Sequence, residues 1–127
     1  MNRTLLGRAI VAGLGLGALL VPASSALGFT SNRFESPSGN ILCRYDNYSR
    51  VMACMTLNDS FVAAVPVYGR SYKTRGGTFR NGPTLYYGDY WTASGRFRCN
   101  SALSGMTCRS VQSGHGFFLS RTSYRLF

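Results

Sequence analysis

The sequence is poor in the side chains that carry most enzyme chemistry. Its 127 residues include one histidine and four carboxylates, which are Glu35, Asp46, Asp59 and Asp89. General acid–base catalysis depends mainly on His, Asp and Glu, and most metal sites draw on the same residues together with cysteine. A conventional hydrolase is therefore a poor first expectation. We predict no cofactor and no metal site.

The chain also lacks an apolar run long enough to span a membrane as a helix. The longest such run, at residues 9–21, has 13 residues, whereas a membrane-spanning helix needs roughly twenty. Arg3 and Arg8 precede this run, and four small residues follow it at 23–26. This order of a basic, an apolar and a small-residue region is typical of a secretory signal peptide.

We therefore predict a signal peptide at residues 1–26 and one mature domain at 27–127. Cleavage is expected after Ala26, with Gly28 as the alternative site. The mature protein is expected to have no integral membrane span and to be exported to the periplasm or the exterior.

Negative charge is scarce, and positive charge dominates. The chain has 14 Lys and Arg, of which only Lys73 is a lysine, and its net charge is +10. Loss of residues 1–26 removes two arginines and leaves a net charge of +8. The 17 aromatic residues and 45% hydrophobic content exclude a disordered chain.

An internal repeat is visible at an offset of 56 residues. A Ser-Gly-x-x-x-Cys segment occurs twice at this offset, and each copy then closes on Met-x-Cys. Four identical elements in the same order, Ser-Gly, Cys, Met and Cys, predict duplicated units at about 34–57 and 90–111.

The four cysteines fall in pairs within these two units. Residues on both sides of each turn alternate as in a β-hairpin, so Cys43 is expected opposite Cys54, and Cys99 opposite Cys108. Export favours disulfides over zinc, and the spacing has no CxxC pair. We predict the bridges Cys43–Cys54 and Cys99–Cys108. The main alternative joins the copies through Cys43–Cys99 and Cys54–Cys108.

The rest of the chain consists of short segments separated by turn residues. Residues 61–65 are expected to form a buried strand ending at Pro66. Residues 84–87 and 90–92 are expected to pair through a turn or bulge at 88–89, and the last residues to dock as a strand. Regular short strands predict an all-β fold, a small disulfide-stapled β-sandwich or open barrel made of two related hairpin units.

Several segments of the mature chain resemble an uncharacterised family of small exported bacterial proteins. The segment 34–43 is similar to an F-x-S-P-S-G-N-I-x-C opening, and 114–121 is similar to a G-x-G-F-x-L-S-R closing. Tyr87-Gly88 and the segment 105–108 also contribute to the resemblance. It implies export and a domain of unknown function, and it carries no catalytic residues to this chain.

The basic residues are candidates for binding an anionic partner. Cations contact anions, and the interleaved rings of Tyr72 and Phe79 offer stacking surfaces. The alternative is a solvated basic surface that keeps the protein soluble. The candidate binding residues are Arg70, Lys73, Arg75, Arg80, Arg96, Arg98 and Arg121.

His115 lies between two glycines and is expected to bind a ligand or to belong to a tight turn. The catalytic alternative is a Ser-His-Asp set with Ser120 and Asp89, since such a set is recognised by geometry rather than by order. The rings of residues 86–91 are expected to fill the core, with a carbohydrate or peptide platform as the alternative.

We therefore predict a non-enzymatic binding protein of the bacterial envelope or exterior that recognises an anionic partner through an Arg-rich face. The partner is expected to be an anionic envelope polymer, a lipid headgroup or a protein. The alternatives are a small hydrolase-like enzyme that uses His115 with a carboxylate, and a structural component of the envelope.

Overall fold

The computed structural model describes residues 31–93 and 95–127. The predicted signal peptide and both predicted cleavage sites lie outside the described residues. The strands are β1 (Arg33–Glu35), β2 (Ile41–Asp46), β3 (Val51–Thr56), β4 (Phe61–Pro66), β5 (Tyr72–Arg75), β6 (Tyr90–Ala93), β7 (Phe97–Ala102), β8 (Gly105–Ser110), β9 (Gly116–Leu119) and β10 (Tyr124–Leu126).

The strands form two five-stranded antiparallel sheets in the order of the chain. The first sheet is β1-β2-β3-β4-β5, and the second is β6-β7-β8-β9-β10. Short turns join neighbours, as expected for antiparallel strands. The all-β prediction is confirmed: the described residues form two separate antiparallel sheets, and these sheets do not close into a barrel.

Both sheets contribute residues to one hydrophobic core. This arrangement buries the inward residues of each strand and leaves alternate residues outside, most clearly along β7. The contacts that join the sheets include Phe34 with Trp91 at 5.3 Å, Tyr45 with Phe97 at 5.5 Å, and Cys54 Sγ with Cys108 Sγ at 3.8 Å.

Each disulfide joins directly opposed residues of one hairpin. Cys43 is paired with Cys54 in the register of β2 and β3, and Cys99 with Cys108 in that of β7 and β8. The Cα atoms are 4.0 Å apart in both bridges. The predicted pairing within each copy is confirmed, and the alternative pairing between copies is wrong.

The predicted repeat falls on equivalent parts of the two sheets. Residues 34–57 cover most of β1 to β3, and residues 90–111 cover β6 to β8. In both copies the disulfide joins the second and third strands of the sheet. The two halves thus share strand order and cross-link position, while a common origin for them stays a prediction.

The long connection between β5 and β6 crosses the outer face of the first sheet. Its Phe79 packs on a small apolar cluster formed by Ala53, Val62 and Ala64, outside the main core. The connection continues to Thr84, which forms an isolated parallel bridge with Glu35. An apolar patch of the outer face is thereby covered.

The hairpin predicted between 84–87 and 90–92 is wrong. Residues 90–93 form β6, and β6 pairs with β7 instead. The amide of Gly88 donates to the carbonyl of Ser101 on β7, so the turn residues already follow the second sheet. By contrast, the buried strand ending at Pro66 and the C-terminal strand are both present.

Candidate functional site

The structure brings three of the seven candidate cations together. Lys73, Arg75 and Arg121 line one cleft of about 200 Å³, which we call the edge cleft. It lies where β5, the edge of the first sheet, approaches β10, the edge of the second. The other four candidates lie elsewhere: Arg70 beside His115, Arg80 with Arg33 and Arg44, Arg96 with Arg50, and Arg98 over the ring of Tyr90.

The turn between β9 and β10 places Arg121 at the edge cleft. The amide of Ser120 donates to the carbonyl of Ser123 at 2.9 Å, and the Ser120 hydroxyl accepts from the Ser123 amide at 3.1 Å. These bonds close the turn locally, as serine side chains often do. Arg121 therefore projects from a short, internally bonded turn.

Two aromatic rings position the lysine of the edge cleft. The rings of Phe61 and Tyr124 meet edge to face with centroids 4.4 Å apart. The Lys73 Nζ lies 4.9 Å from the first centroid and 5.0 Å from the second. An ammonium over aromatic rings is attracted by their negative faces. The two rings therefore orient the ammonium.

One carboxylate, Asp59, also lines the edge cleft, and its Oδ1 already accepts two hydrogen bonds. Asp59 Oδ1 accepts from Thr56 Oγ1 at 2.7 Å and from the Phe61 amide at 3.1 Å. These two hydrogen bonds, with a smaller contribution from the charge of Arg75, hold the pKa of Asp59 below its usual range. The carboxylate organises the turn before β4, and the cleft keeps an excess of positive charge.

We expect the Asp59→Asn variant to lose part of the acid sensitivity of the fold. Because the folded pKa is lowered, ionised Asp59 stabilises the native state above the unfolded pKa of about 3.9, and this contribution is lost as the pH falls through the folded pKa. Urea unfolding at pH 7, 4 and 2.5 should show a smaller decrease in the free energy of unfolding for the variant. If the free energy of unfolding fell equally with pH in the variant and in the unaltered protein, ionised Asp59 would not have this stabilising role.

A second groove of about 380 Å³ adjoins the edge cleft. Both are lined by residues 120–122, so Arg121 faces the two spaces at once. We call this space the hydroxyl groove, because most of its polar lining consists of hydroxyl side chains. They are Ser36, Ser38, Tyr87, Ser101, Ser104, Ser120 and Thr122. Hydroxyl groups both donate and accept hydrogen bonds, which suits a polar ligand.

All four segments that carry the family resemblance contribute to the hydroxyl groove. The opening segment supplies Ser36, the central one Tyr87, the third Gly105, and the closing one Arg121. Segments that are separated by up to 85 residues in the chain are thus brought to one end of the sandwich.

His115 lies in the connection between β8 and β9, beside the last described residue, Phe127. Its amide donates to Ser113 Oγ at 3.2 Å, and its Nδ1 lies 3.3 Å from the carbonyl oxygen of Phe127. The cavity that it lines also contains Arg70 and Ser71, but neither Asp89 nor Ser120. A turn at residues 111–113 immediately precedes Gly114 and His115.

The cluster containing Arg80 includes two arginines that the sequence reading did not select. Arg33 lies on β1 and Arg44 on β2, and the strand register places them directly opposite each other. The sequence feature that could have indicated this pair is the turn signature at residues 36–40, because this turn folds β1 back on β2. Once that hairpin is recognised, the two arginines fall on the same face.

No family model, curated protein or solved structure matches the chain, so the resemblance to an exported family stays a prediction. Within residues 31–93 and 95–127, no helix is long and apolar enough to cross a membrane. The same residues contain no group of three or more His, Cys, Asp or Glu that would suit a metal ion.

Proposed function

We propose that this protein is an exported, non-enzymatic binding protein that holds an anionic polymer of the bacterial envelope or exterior at the edge cleft. The observation that carries the proposal is the convergence of Lys73, Arg75 and Arg121 on one cleft. Two disulfides in a small basic domain agree with an oxidising, extracytoplasmic compartment.

The edge cleft supplies cations in two forms. Lys73 presents a compact ammonium above two rings, whereas Arg75 and Arg121 present planar guanidiniums. Guanidiniums form paired hydrogen bonds with carboxylate, sulfate or phosphate groups. Arg75 Nη1 already donates to the Asp59 carbonyl at 2.8 Å, which orients its side chain along the cleft.

The adjoining hydroxyl groove favours a polymer with both charges and polar neutral groups. A chain that places one anionic group against Arg121 has room to continue between the serines of the groove. An acidic glycan has this alternation of anionic groups and hydroxyls. We therefore choose heparin as the probe polymer.

The Arg75→Gln/Arg121→Gln double variant should elute from a heparin column at clearly lower salt than the unaltered mature protein. Each contact between a cation and the polymer releases a counterion, so loss of two contacts lowers the salt dependence of binding as well. The matched control is Arg109→Gln/Arg125→Gln, which removes the same charge from exposed strand positions outside the edge cleft.

We expect the control to stay close to the unaltered protein. Equal losses in the two double variants would overturn the edge cleft as the site and leave only a diffuse basic surface. Failure of the mature protein to bind heparin more strongly than a neutral protein of equal size at low salt would overturn the whole proposal. Retention on vesicles with anionic headgroups but not on heparin would replace the polymer by a lipid surface.

A further inference from the structure

A third space, a cleft of about 730 Å³, lies on the outer face of the first sheet beside the connection between β5 and β6. Its charged lining is Arg33, Arg44 and Arg80, and it contains no carboxylate. We call it the three-arginine cleft. It shares no lining residue with the edge cleft or the hydroxyl groove.

The backbone holds the three arginines close together. Arg33 and Arg44 are directly opposed on neighbouring antiparallel strands, where like charges destabilise the pair. The connection brings Arg80 to them, and a Cβ on Gly82 would lie 2.9 Å from the Arg33 carbonyl oxygen. The connection therefore passes close against β1, and the fold maintains an arrangement that costs energy without an anion.

Arg44 is held in place and is partly removed from water. Its guanidinium carbon lies 4.9 Å from the centroid of the Phe79 ring. Its Nε is buried and has no hydrogen-bond partner within the part of the chain that the structure describes. Buried polar atoms are rarely left unpaired, because the lost hydration is costly. This donor therefore indicates a missing acceptor.

The carboxylates that lie two residues from Arg33 and Arg44 in the sequence, Glu35 and Asp46, accept hydrogen bonds from other groups. Glu35 Oε1 accepts from Asn81 Nδ2 at 3.1 Å and from the Gly82 amide at 3.2 Å. Asp46 Oδ1 accepts from the amides of Tyr48 and Ser49, and Arg44 is the smallest influence on its lowered pKa. Neither carboxylate lines the three-arginine cleft, so its positive charge is not neutralised from within.

We infer that the three-arginine cleft binds a tetrahedral oxyanion, a phosphate or sulfate group, either free or as the end of a larger molecule. A dianion with three or more terminal oxygens can accept from three guanidiniums at once, whereas a carboxylate has two oxygens and one charge. The volume of the cleft leaves room for a substituent on the anion. This site goes beyond the proposed function, because it involves different residues and a small ligand.

Titration of the mature protein with inorganic phosphate tests the inference. Chemical shifts of the arginine Nε–Hε groups should change saturably, with the largest change at Arg44, whose signal is identified by its absence in Arg44→Gln. Sulfate and glycerol 3-phosphate, titrated separately, distinguish a free ion from an esterified one. Acetate at equal ionic strength is the negative probe.

We expect Arg80→Gln to weaken phosphate binding by about tenfold or more, because a charge-assisted hydrogen bond is lost. Arg80 is exposed, so this variant keeps the fold even where Arg44→Gln does not. Arg109→Gln is the charge-matched control and should bind as the unaltered protein does. Absence of saturation, or equal weakening in Arg80→Gln and Arg109→Gln, would overturn the inference.

The two proposals fail separately. The Arg75→Gln/Arg121→Gln variant should keep its affinity for phosphate, and Arg80→Gln should keep most of its retention on heparin. A phosphate affinity that falls with the edge-cleft variant instead would place the oxyanion in the edge cleft and overturn the three-arginine site.

Discussion

Replacement of Gly116 by alanine is expected to lower the free energy of unfolding by about 3 kcal/mol or more, a large part of the about 5–15 kcal/mol that a small domain has. A Cβ at this position would lie 2.2 Å from the Cys108 carbonyl oxygen and 2.7 Å from the Arg109 Cβ. Neither group can move without parting β8 from β9. The measurement is urea unfolding of a protein comprising residues 27–127, followed by circular dichroism.

The matched control for Gly116→Ala is Gly88→Ala. Gly88 has φ +92°, and no atom lies within 4 Å of its added Cβ, so the substitution meets strain but no neighbour. We expect a cost of about 1–2 kcal/mol. A Gly116→Ala protein as stable as this control would show that β8 and β9 do not approach as closely as described.

The Trp91→Ala substitution is expected to cost about 3–5 kcal/mol. Trp91 is fully buried between the sheets, with ring contacts to Phe34 at 5.3 Å and to Tyr45 at 5.8 Å. Its Nε1 donates to the Ser31 carbonyl and so ties the start of the described chain to β6. Removal of the ring leaves a cavity and an unpaired carbonyl.

Trp91→Phe separates the two contributions of the tryptophan. It keeps most of the aromatic volume but not the hydrogen bond, so we expect a smaller loss than for alanine. Far-ultraviolet circular dichroism in urea suits all three proteins, because the variants lack the tryptophan fluorophore. Stability of Trp91→Ala within about 1 kcal/mol of the unaltered protein would contradict the central position of this residue in the core.

Trp91 also shows where prediction from sequence succeeded and where it failed. Core packing was expected for the whole aromatic segment, but Tyr86 is 64% exposed and Tyr87 45% exposed. The difference arises because only residues from Tyr90 onward enter the sheet. Alternation of apolar and polar residues indicates which side chains are buried within a strand, but it does not indicate burial in a connection between strands.

The hairpins with their disulfides were predictable because their signals are local. Cysteine spacing, turn residues and alternation all fall within about a dozen residues of each bridge. The strand pairing of β6 was not predictable in this way. Its partner β7 follows Gly95, and the competing partner proposed at 84–87 instead remains largely outside the sheets.

The grouping of the cations was the least accessible feature of the candidate site. Arg75 and Arg80 are five residues apart, yet they line different clefts, because the chain leaves β5 and crosses the outer face of the sheet between them. Arg33 and Arg44 lie opposite each other only because of the register between β1 and β2. Charge counting along the sequence does not contain this information.

The position of the disulfides has a mechanical consequence. Each bridge lies within one of the two sheets, and neither bridge joins the sheets to each other. A force that separates the sheets therefore works against side-chain packing and hydrogen bonds, and not against a disulfide. The two disulfides close chain segments of 11 and 9 residues. While the bridges are intact, each segment cannot extend, and the fully extended chain is shorter by roughly 30–40 Å for each bridge. Under tension the sandwich opens along its middle plane, while each central hairpin stays joined by its own bond.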